Sequence, residues 1–252
     1  MAVHKNKDFF VREMFSNIAH RYDLLNRLLS MRRDIYWRKF AVRELLKPVV
    51  SKANLTGGDS FVPLTTGFYL DVATGTGDCA IEILRQGGEK KKVIGVDFTP
   101  EMIYAGRKKV EREGLSGCIT LLETNAMGLP FDDNYFDGAM SAFGVRNFSD
   151  IKKGIREMRR VVKEKGKVVI LEFTNPSNKI FKKIYHLYFK RVLPFIGGII
   201  SGRRYAYQYL PDSVMEFPDQ KELKKIMEKE GLKDVRYFNL TFGIVAVHVG
   251  VK

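Results

Sequence analysis

Apolar positions along the chain follow two different periods, and the change from one to the other divides it. Phe9, Met14, Phe15 and Ile18 recur at the spacing of a single helix face. Leu24, Leu25, Leu28 and Leu29 follow, and then Ile35, Trp37, Phe40, Val42, Leu45 and Leu46 up to Pro48. The spacing predicts three helices, with Asp23 and Asp34 placed to cap the second and third. Residues 51–67 carry Gly57, Gly58 and Pro63 and show no period, which reads as a loop or linker.

Beyond it, short apolar runs alternate with helical patterns. Residues 68–73, 93–96, 119–122, 136–142 and 168–173 read as strands, and 79–85, 101–112 and 151–162 as helices. Such alternation predicts an α/β fold whose parallel sheet is covered on both faces. The end differs, because 235–240 and 244–249 are separated only by Thr241, Phe242 and Gly243, the pattern of an antiparallel hairpin. A parallel sheet finished by a hairpin is unusual for a dinucleotide dehydrogenase.

Composition narrows the class. A chain of 252 residues, 45% hydrophobic, holds one sizeable core. Its longest apolar run, 192–200, is interrupted by Pro194 and two glycines, well short of the roughly 18–20 residues that span a membrane. The opening MAVHKNKDFF lacks the apolar core of a secretory signal, so the cytoplasm is the expected location. Cys79 and Cys118 are too few for a disulfide framework and have no metal-ligand spacing; they read as small buried thiols, and no metal is expected. The net charge of +14 is unevenly spread. Residues 1–47 hold 11 basic against 5 acidic side chains, and residues 179–204 hold 7 against none. Scattered lysines are usually a solvated face, but an excess confined to two segments points to an anionic partner.

The segment richest in chemistry is LDVATGTGD, Leu70 to Asp78, where a strand runs into Gly75 and Gly77 and then into a helix. Glycines there let the backbone turn sharply against a ligand, and the helix start presents free N–H groups. With Ala80 the string also fits a dinucleotide fingerprint, and Asp97 stands 20 residues after Gly77, at the end of the next strand, suited to a ribose. Asp71 separates the readings. A carboxylate aimed at the turn would repel a pyrophosphate but suits a ligand bearing an ammonium or sulfonium group, which points to S-adenosylmethionine.

The order of acid, G-x-G and second acid resembles the class I methyltransferases, as does the closing hairpin. Asn125-Ala126, followed by Leu129-Pro130-Phe131 after the third strand, falls where such enzymes hold the adenine. No N-P-P-Y or D-P-P-Y follows the fourth strand, and neither cysteine follows a proline, which argues against amine or C5-pyrimidine methylation of nucleic acid. Four further segments, FSNIAHRYDLLNRLLS (15–30), SAFGVRNFSD (141–150), LEFTNP (171–176) and YQYLPDSVMEFP (207–218), are similar to the UbiE/MenG/Coq5 family, the C-methyltransferases of menaquinone and ubiquinone synthesis. The resemblance runs along nearly the whole chain, in order.

That resemblance implies a Rossmann-like, seven-stranded, mostly parallel sheet with a C-terminal antiparallel hairpin, in one domain over 1–252. Within it, 1–50 would be a helical lid, 68–178 the cofactor-binding core, 179–218 a helical insertion facing substrate and membrane, and 219–252 the last helix and hairpin. It implies transfer of a methyl group from S-adenosylmethionine to a ring carbon of a polyprenylated demethylated quinol. Demethylmenaquinol is the first expectation and 2-methoxy-6-polyprenyl-1,4-benzoquinol the second. Thr76, Asp97, Asn125 and Ala126 carry over as cofactor positions; Asp71, Gly75 and Gly77 follow from the wider methyltransferase pattern. A homodimer is also in keeping with the family. Two departures stand out: Ala142 where the family often has Ser, with Ser141 one step earlier, and the long 51–67 stretch.

The chemistry can be reasoned independently. Only a reduced ring, as phenolate, is electron-rich enough at carbon to take a methyl group, so the site needs a phenolate-stabilising group and a route for a proton. Arg146 suits the first need, Asn147 could orient water or a ring oxygen, Tyr22 could hydrogen-bond the ring, and His20 offers an imidazole for proton transfer. Each has a plain structural reading beside it: a loop ion pair for Arg146, a core aromatic for Tyr22, a helix-surface residue for His20. The basic, aromatic stretch 179–204, free of acids, reads with the N-terminal helices as a peripheral contact with an anionic membrane surface. Nucleic acid is not the expected partner. The alternatives are an RNA methyltransferase using the same basic surface and a non-catalytic S-adenosylmethionine-binding accessory protein.

Overall fold

The computed structural model describes residues 2–49, 66–174 and 204–252. Three helices, α1 (Ala2–Ile18), α2 (Tyr22–Leu29) and α3 (Arg33–Leu46), precede an alternating series. It runs β1 (Gly67–Val72), α4 (Asp78–Gly87), β2 (Lys91–Asp97), α5 (Pro100–Arg112), β3 (Ile119–Glu123), β4 (Phe136–Ala142), α6 (Ile151–Val161) and β5 (Val162–Phe173). After α7 (Arg204–Glu216) and α8 (Gln220–Lys229), β6 (Lys233–Leu240) and β7 (Val245–Val251) close the chain. The seven strands form one sheet in the order β3-β2-β1-β4-β5-β7-β6. All neighbours are parallel except β7, which lies antiparallel between β5 and β6.

Both faces of the sheet are buried, and strand residues alternate between them. Tyr69, Val169 and Leu171 join one cluster with Trp37 and Val42 of α3, Ile83 of α4 and Val110 of α5. Leu70, Val72, Val168 and Ile170 join the other, with Ile155 and Met158 of α6 and Leu223 and Met227 of α8. This two-sided burial explains why the strands read as nearly continuous apolar runs rather than a polar alternation. A third, smaller cluster ties Met14, Ile18 and Leu25 to Val214 of α7.

Local signals set the helix ends. Asp150 caps α6 by accepting from Lys153 N at 3.0 Å. Asp219 and Glu222 form a reciprocal capping box at α8. The caps expected at Asp23 and Asp34 are not there: Arg21 and Arg32 hold those positions. The two acids lie one residue inside their helices, where Asp23 serves the distant Thr76 and Lys109 and Asp34 serves Ser30 and Arg38, one helical turn to either side. Strand β5 starts at Val162, earlier than the apolar pattern: Val162 is buried and pairs with Phe136, and regular pairing with β4 resumes at Lys167. Lys165 (φ 64°) and a register shift against β4 mark the irregularity. The hairpin turn is as expected, with Thr241, Phe242 and Gly243 all left-handed.

The connections reverse direction between β1 and β4. A crevice opens there at the carboxyl ends of the strands, the place where open α/β sheets bind ligands. Among the described residues no helix is long and apolar enough to cross a membrane. The 51–67 stretch, apart from its last two residues, and the basic segment from 179 to 203 lie outside the described residues.

Candidate active site

Two adjoining cavities occupy the crevice. The larger, about 670 Å³ of empty space including its mouth, is lined by Gly75, Asp97, Asn125, Ala126, Phe143 and Asn147 from the sheet side, and by Asp8, Phe15 and Tyr22 from α1 and α2. The smaller, about 300 Å³, is lined by Asp71, Thr74, Thr76 and Asp78 of the glycine turn and by Arg38 of α3. Tyr22, Ala73, Gly75 and Ala142 border both.

The turn is built by positive φ at Ala73 (55°), Gly75 (55°) and Gly77 (83°), with Gly77 capping α4. Thr74 N donates to the Val96 carbonyl at 2.9 Å, closing the turn onto β2. Asp71 is fully buried at the end of β1. Its Oδ2 accepts from the Thr74 hydroxyl at 2.6 Å and from Ala80 N at 3.1 Å. Burial pushes its carboxyl up to about 7, against the pull of those two donors. Asp97 accepts from Gly75 N and Thr99 N, each at 2.9 Å; burial raises it too, and these backbone donors hold the carboxylate in place.

Tyr22 stands over the turn. Its ring lies 3.7 Å from where a Cβ on Gly75 would be and packs edge-on against Phe15 at 5.9 Å. Burial raises its phenol above the usual value, keeping it a neutral donor. Helix α2 is pinned there through Asp23, which accepts from the Thr76 hydroxyl at 2.6 Å and pairs with Lys109 at 2.7 Å. Lys109 also pairs with Asp78, as does Arg27 at 3.3 Å. Helix α1 closes the far side: Lys7 Nζ donates to the carbonyls of Arg146 and Phe148, and Ser16 donates to Glu101 at 2.6 Å.

Arg146 sits in the turn after β4, buried, and borders neither cavity. Its Nη1 donates to Glu172 Oε1 at 2.7 Å and to the Phe143 carbonyl at 2.6 Å, and its backbone N donates to Glu172 Oε2 at 3.2 Å. Burial works against its charge, and the Glu172 carboxylate outweighs that, leaving the guanidinium above its ordinary value. Its Nε is buried with no partner among the described residues. Asn147, next in the chain, does face the larger cavity, and its Oδ1 accepts from the Tyr209 hydroxyl of α7 at 3.2 Å.

The structure thus brings Gly75, Asp97, Asn125, Ala126, Asn147 and Tyr22 to one cavity, and Asp71 and Thr76 to its neighbour. The expectation for His20 needs correction. His20 is exposed in the turn between α1 and α2 and reaches neither cavity. Thr76 lines the smaller cavity while its hydroxyl donates to Asp23, and Gly77, which borders neither cavity, caps α4. Glu172, Tyr209 and Arg38 were not singled out from sequence. Glu172 and Tyr209 lie within the LEFTNP and YQYLPDS segments, but their partners, 26 and 62 residues away, could not be read from spacing. Ala142 borders both cavities, whereas the Ser141 hydroxyl is buried with no partner among the described residues.

Sheet order, a reversed β7, and carboxylates after β1 and β2 flanking a glycine turn together define a class I methyltransferase whose methyl donor is S-adenosylmethionine. The donor set fits that molecule: buried Asp71 would take its ammonium, Asp97 its ribose, and Asn125 and Ala126 would lie beside its adenine. The chain belongs to the ubiE/COQ5 methyltransferase family, whose model matches residues 1–252. It is 51% identical over 242 residues to the ubiquinone/menaquinone biosynthesis C-methyltransferase UbiE of Citrifermentans bemidjiense, covering 96% of each chain. It is 45% identical over 237 residues to the demethylmenaquinone methyltransferase of Thermus thermophilus, covering 94% of this chain and 99% of the relative. Among solved structures, a SAM-dependent methyltransferase of Thermotoga maritima superposes with a TM-score of 0.64 at 19% identity, covering 95% and 98%, which speaks to the fold.

Proposed function

We propose that this enzyme methylates a ring carbon of a demethylated, polyprenylated quinol, demethylmenaquinol first and the methoxy-polyprenyl benzoquinol second. The observation that carries the reading is the larger cavity. It runs from Asp97 and Asn125 to a wall of Phe15, Tyr22, Phe143 and Asn147, so an aromatic ring there is adjacent to the cofactor half. S-adenosylmethionine, when bound, supplies a methyl group on a sulfonium sulfur. Phe15 and Phe143 sandwich a flat ring and exclude water. Tyr22 and Asn147 donate to a ring oxygen, favouring the phenolate whose charge spreads to the reacting carbon. That carbon gives its electron pair to the methyl carbon as the bond to sulfur breaks with its pair, and the ring then sheds a proton. Arg146, held by Glu172 behind Phe143, supplies a fixed positive end and an unfilled donor at the same turn. His20 has no part in this scheme. The RNA and accessory-protein readings find no support among the relatives.

The test is methyl transfer from labelled S-adenosylmethionine to short-tailed demethylmenaquinol, with and without dithionite. Transfer is expected only with reductant, and Arg146→Ala is expected to lower it, because the turn that places Phe143 and Asn147 loses its tie to Glu172. Transfer to the oxidised quinone at the same rate would overturn the reading.

The substrate's tail requires a bilayer, and the N-terminal helices offer a surface for it. Leu24, Leu28 and Met31 are 61%, 50% and 76% exposed, beside exposed Arg32 and Arg33. We propose that this face, with the basic 179–204 segment, docks on anionic lipid. Arg32→Glu with Arg33→Glu is expected to reduce cosedimentation with phosphatidylglycerol vesicles and leave neutral vesicles unaffected; equal binding to both by the wild type would remove the proposal.

A further inference from the structure

We propose that Arg38, reaching in from α3, takes the carboxylate at the amino-acid end of the methyl donor in the smaller cavity, with Asp71 taking the ammonium beside it. The inference rests on the methyl donor assigned above. The guanidinium is buried, 7% exposed, yet borders a cavity of about 300 Å³. It is held from two sides: Nη1 donates to Asp34 Oδ2 at 2.8 Å, and the group lies 5.3 Å from the centre of the Phe143 ring. Asp34 is fixed in turn by the Ser30 hydroxyl at 2.8 Å. Asp78, 3.9 Å from Nε, is shared with Lys109 and Arg27, so it does not fully claim the Arg38 charge. Asp34 takes one of the five donors a guanidinium carries, and a planar fork of this kind matches a carboxylate.

Across the same cavity Asp71 takes both of its protein bonds on Oδ2. The lining of this cavity therefore presents a fixed cation and a buried acid. That pattern complements a zwitterion, an ammonium and a carboxylate on one carbon, and no other part of S-adenosylmethionine carries both. The adenosine end is served by Asp97 and Asn125 in the larger cavity, and the shared border at Gly75 and Tyr22 is where the sulfur would pass between them. Arg38 and Tyr22 belong to helices outside the strand-helix core, so the donor's amino-acid end is gripped by the same helical layer that covers the quinol ring.

The competing role is purely structural, Arg38 as the tie between α3 and α4 through Asp34 and Asp78. Calorimetry separates the two using three ligands: S-adenosylhomocysteine, its decarboxylated analogue, and methylthioadenosine, which lacks the amino-acid end. The wild type is expected to prefer S-adenosylhomocysteine over the decarboxylated analogue by about tenfold or more, the size of one charge-assisted hydrogen bond. Arg38→Met is expected to bring that ratio close to one while methylthioadenosine binds as before, and Arg38→Lys to keep part of it. An undiminished ratio in Arg38→Met, or in Arg38→Gln should the first variant fail to fold, would overturn the proposal. So would an equal loss for all three ligands, which is the mark of a structural tie. A wild type that binds none of the three would instead count against the donor assignment itself.

Discussion

Asp71 is an acid held at a pKa near 7 by burial, and this has consequences for both stability and binding. A carboxyl raised above its unfolded value keeps its proton in the folded state, so between about pH 4 and 7 the native protein binds more protons than the unfolded chain. This group therefore makes stability fall as pH rises through that window. Asp71→Asn is expected to stabilise the ligand-free protein near neutrality and to weaken binding of the cationic donor. Binding of S-adenosylmethionine at pH 7 should release up to about half a proton as the ammonium draws the carboxyl down. Calorimetry in buffers of different ionisation enthalpy would register this in the wild type and not in Asp71→Asn. The Arg146–Glu172 pair makes a second case. Removing one partner leaves a buried charge uncompensated, so Glu172→Ala should cost about 3–5 kcal/mol in urea unfolding. Replacing both residues with Met is expected to recover most of that stability and none of the methyl transfer, which separates the pair's two roles.

At the scale of elements, α2 is positioned by charge more than by apolar burial. Leu25 is its one fully buried apolar residue, whereas Asp23 and Arg27 reach Thr76, Lys109 and Asp78. Lys109→Met should therefore loosen α2 while leaving the sheet intact. The expected readout is faster amide exchange confined to α1 and α2, with a raised KM for the quinol because Tyr22 loses its fixed place. Uniformly faster exchange through β1 and β4 would show instead that Lys109 supports the core. This dependence also explains why Asp23 misreads as a cap. A Ser, Asp or Asn at the start of an apolar period satisfies the capping pattern locally, and only the folded chain shows the carboxylate committed elsewhere.

For the whole molecule, stability resides in the two apolar layers on either side of the sheet. Ile155 of α6 is completely buried in one of these layers and lines neither cavity. Ile155→Ala should cost about 2–5 kcal/mol, read from the urea midpoint, with kcat unchanged at a temperature where the variant stays folded. The sequence by itself determined what is encoded at short range. Strand and helix periods, the closing hairpin, the Asp71–Gly75–Gly77 turn and Asp97 at the next strand's end all depend on residues close together in the chain. Arg146, Asn147 and Tyr22 were also legible, through segments similar to a known family. Only the tertiary structure decided which of them share a cavity, that Arg146 stands behind the wall with Glu172, and that Thr76 turns to Asp23. It alone brought Arg38 to the glycine turn and set His20 in solvent. The physical reason is that a buried polar side chain must find its partner wherever the packed elements bring one, and that meeting is fixed by sheet order and helix docking, which no local spacing records.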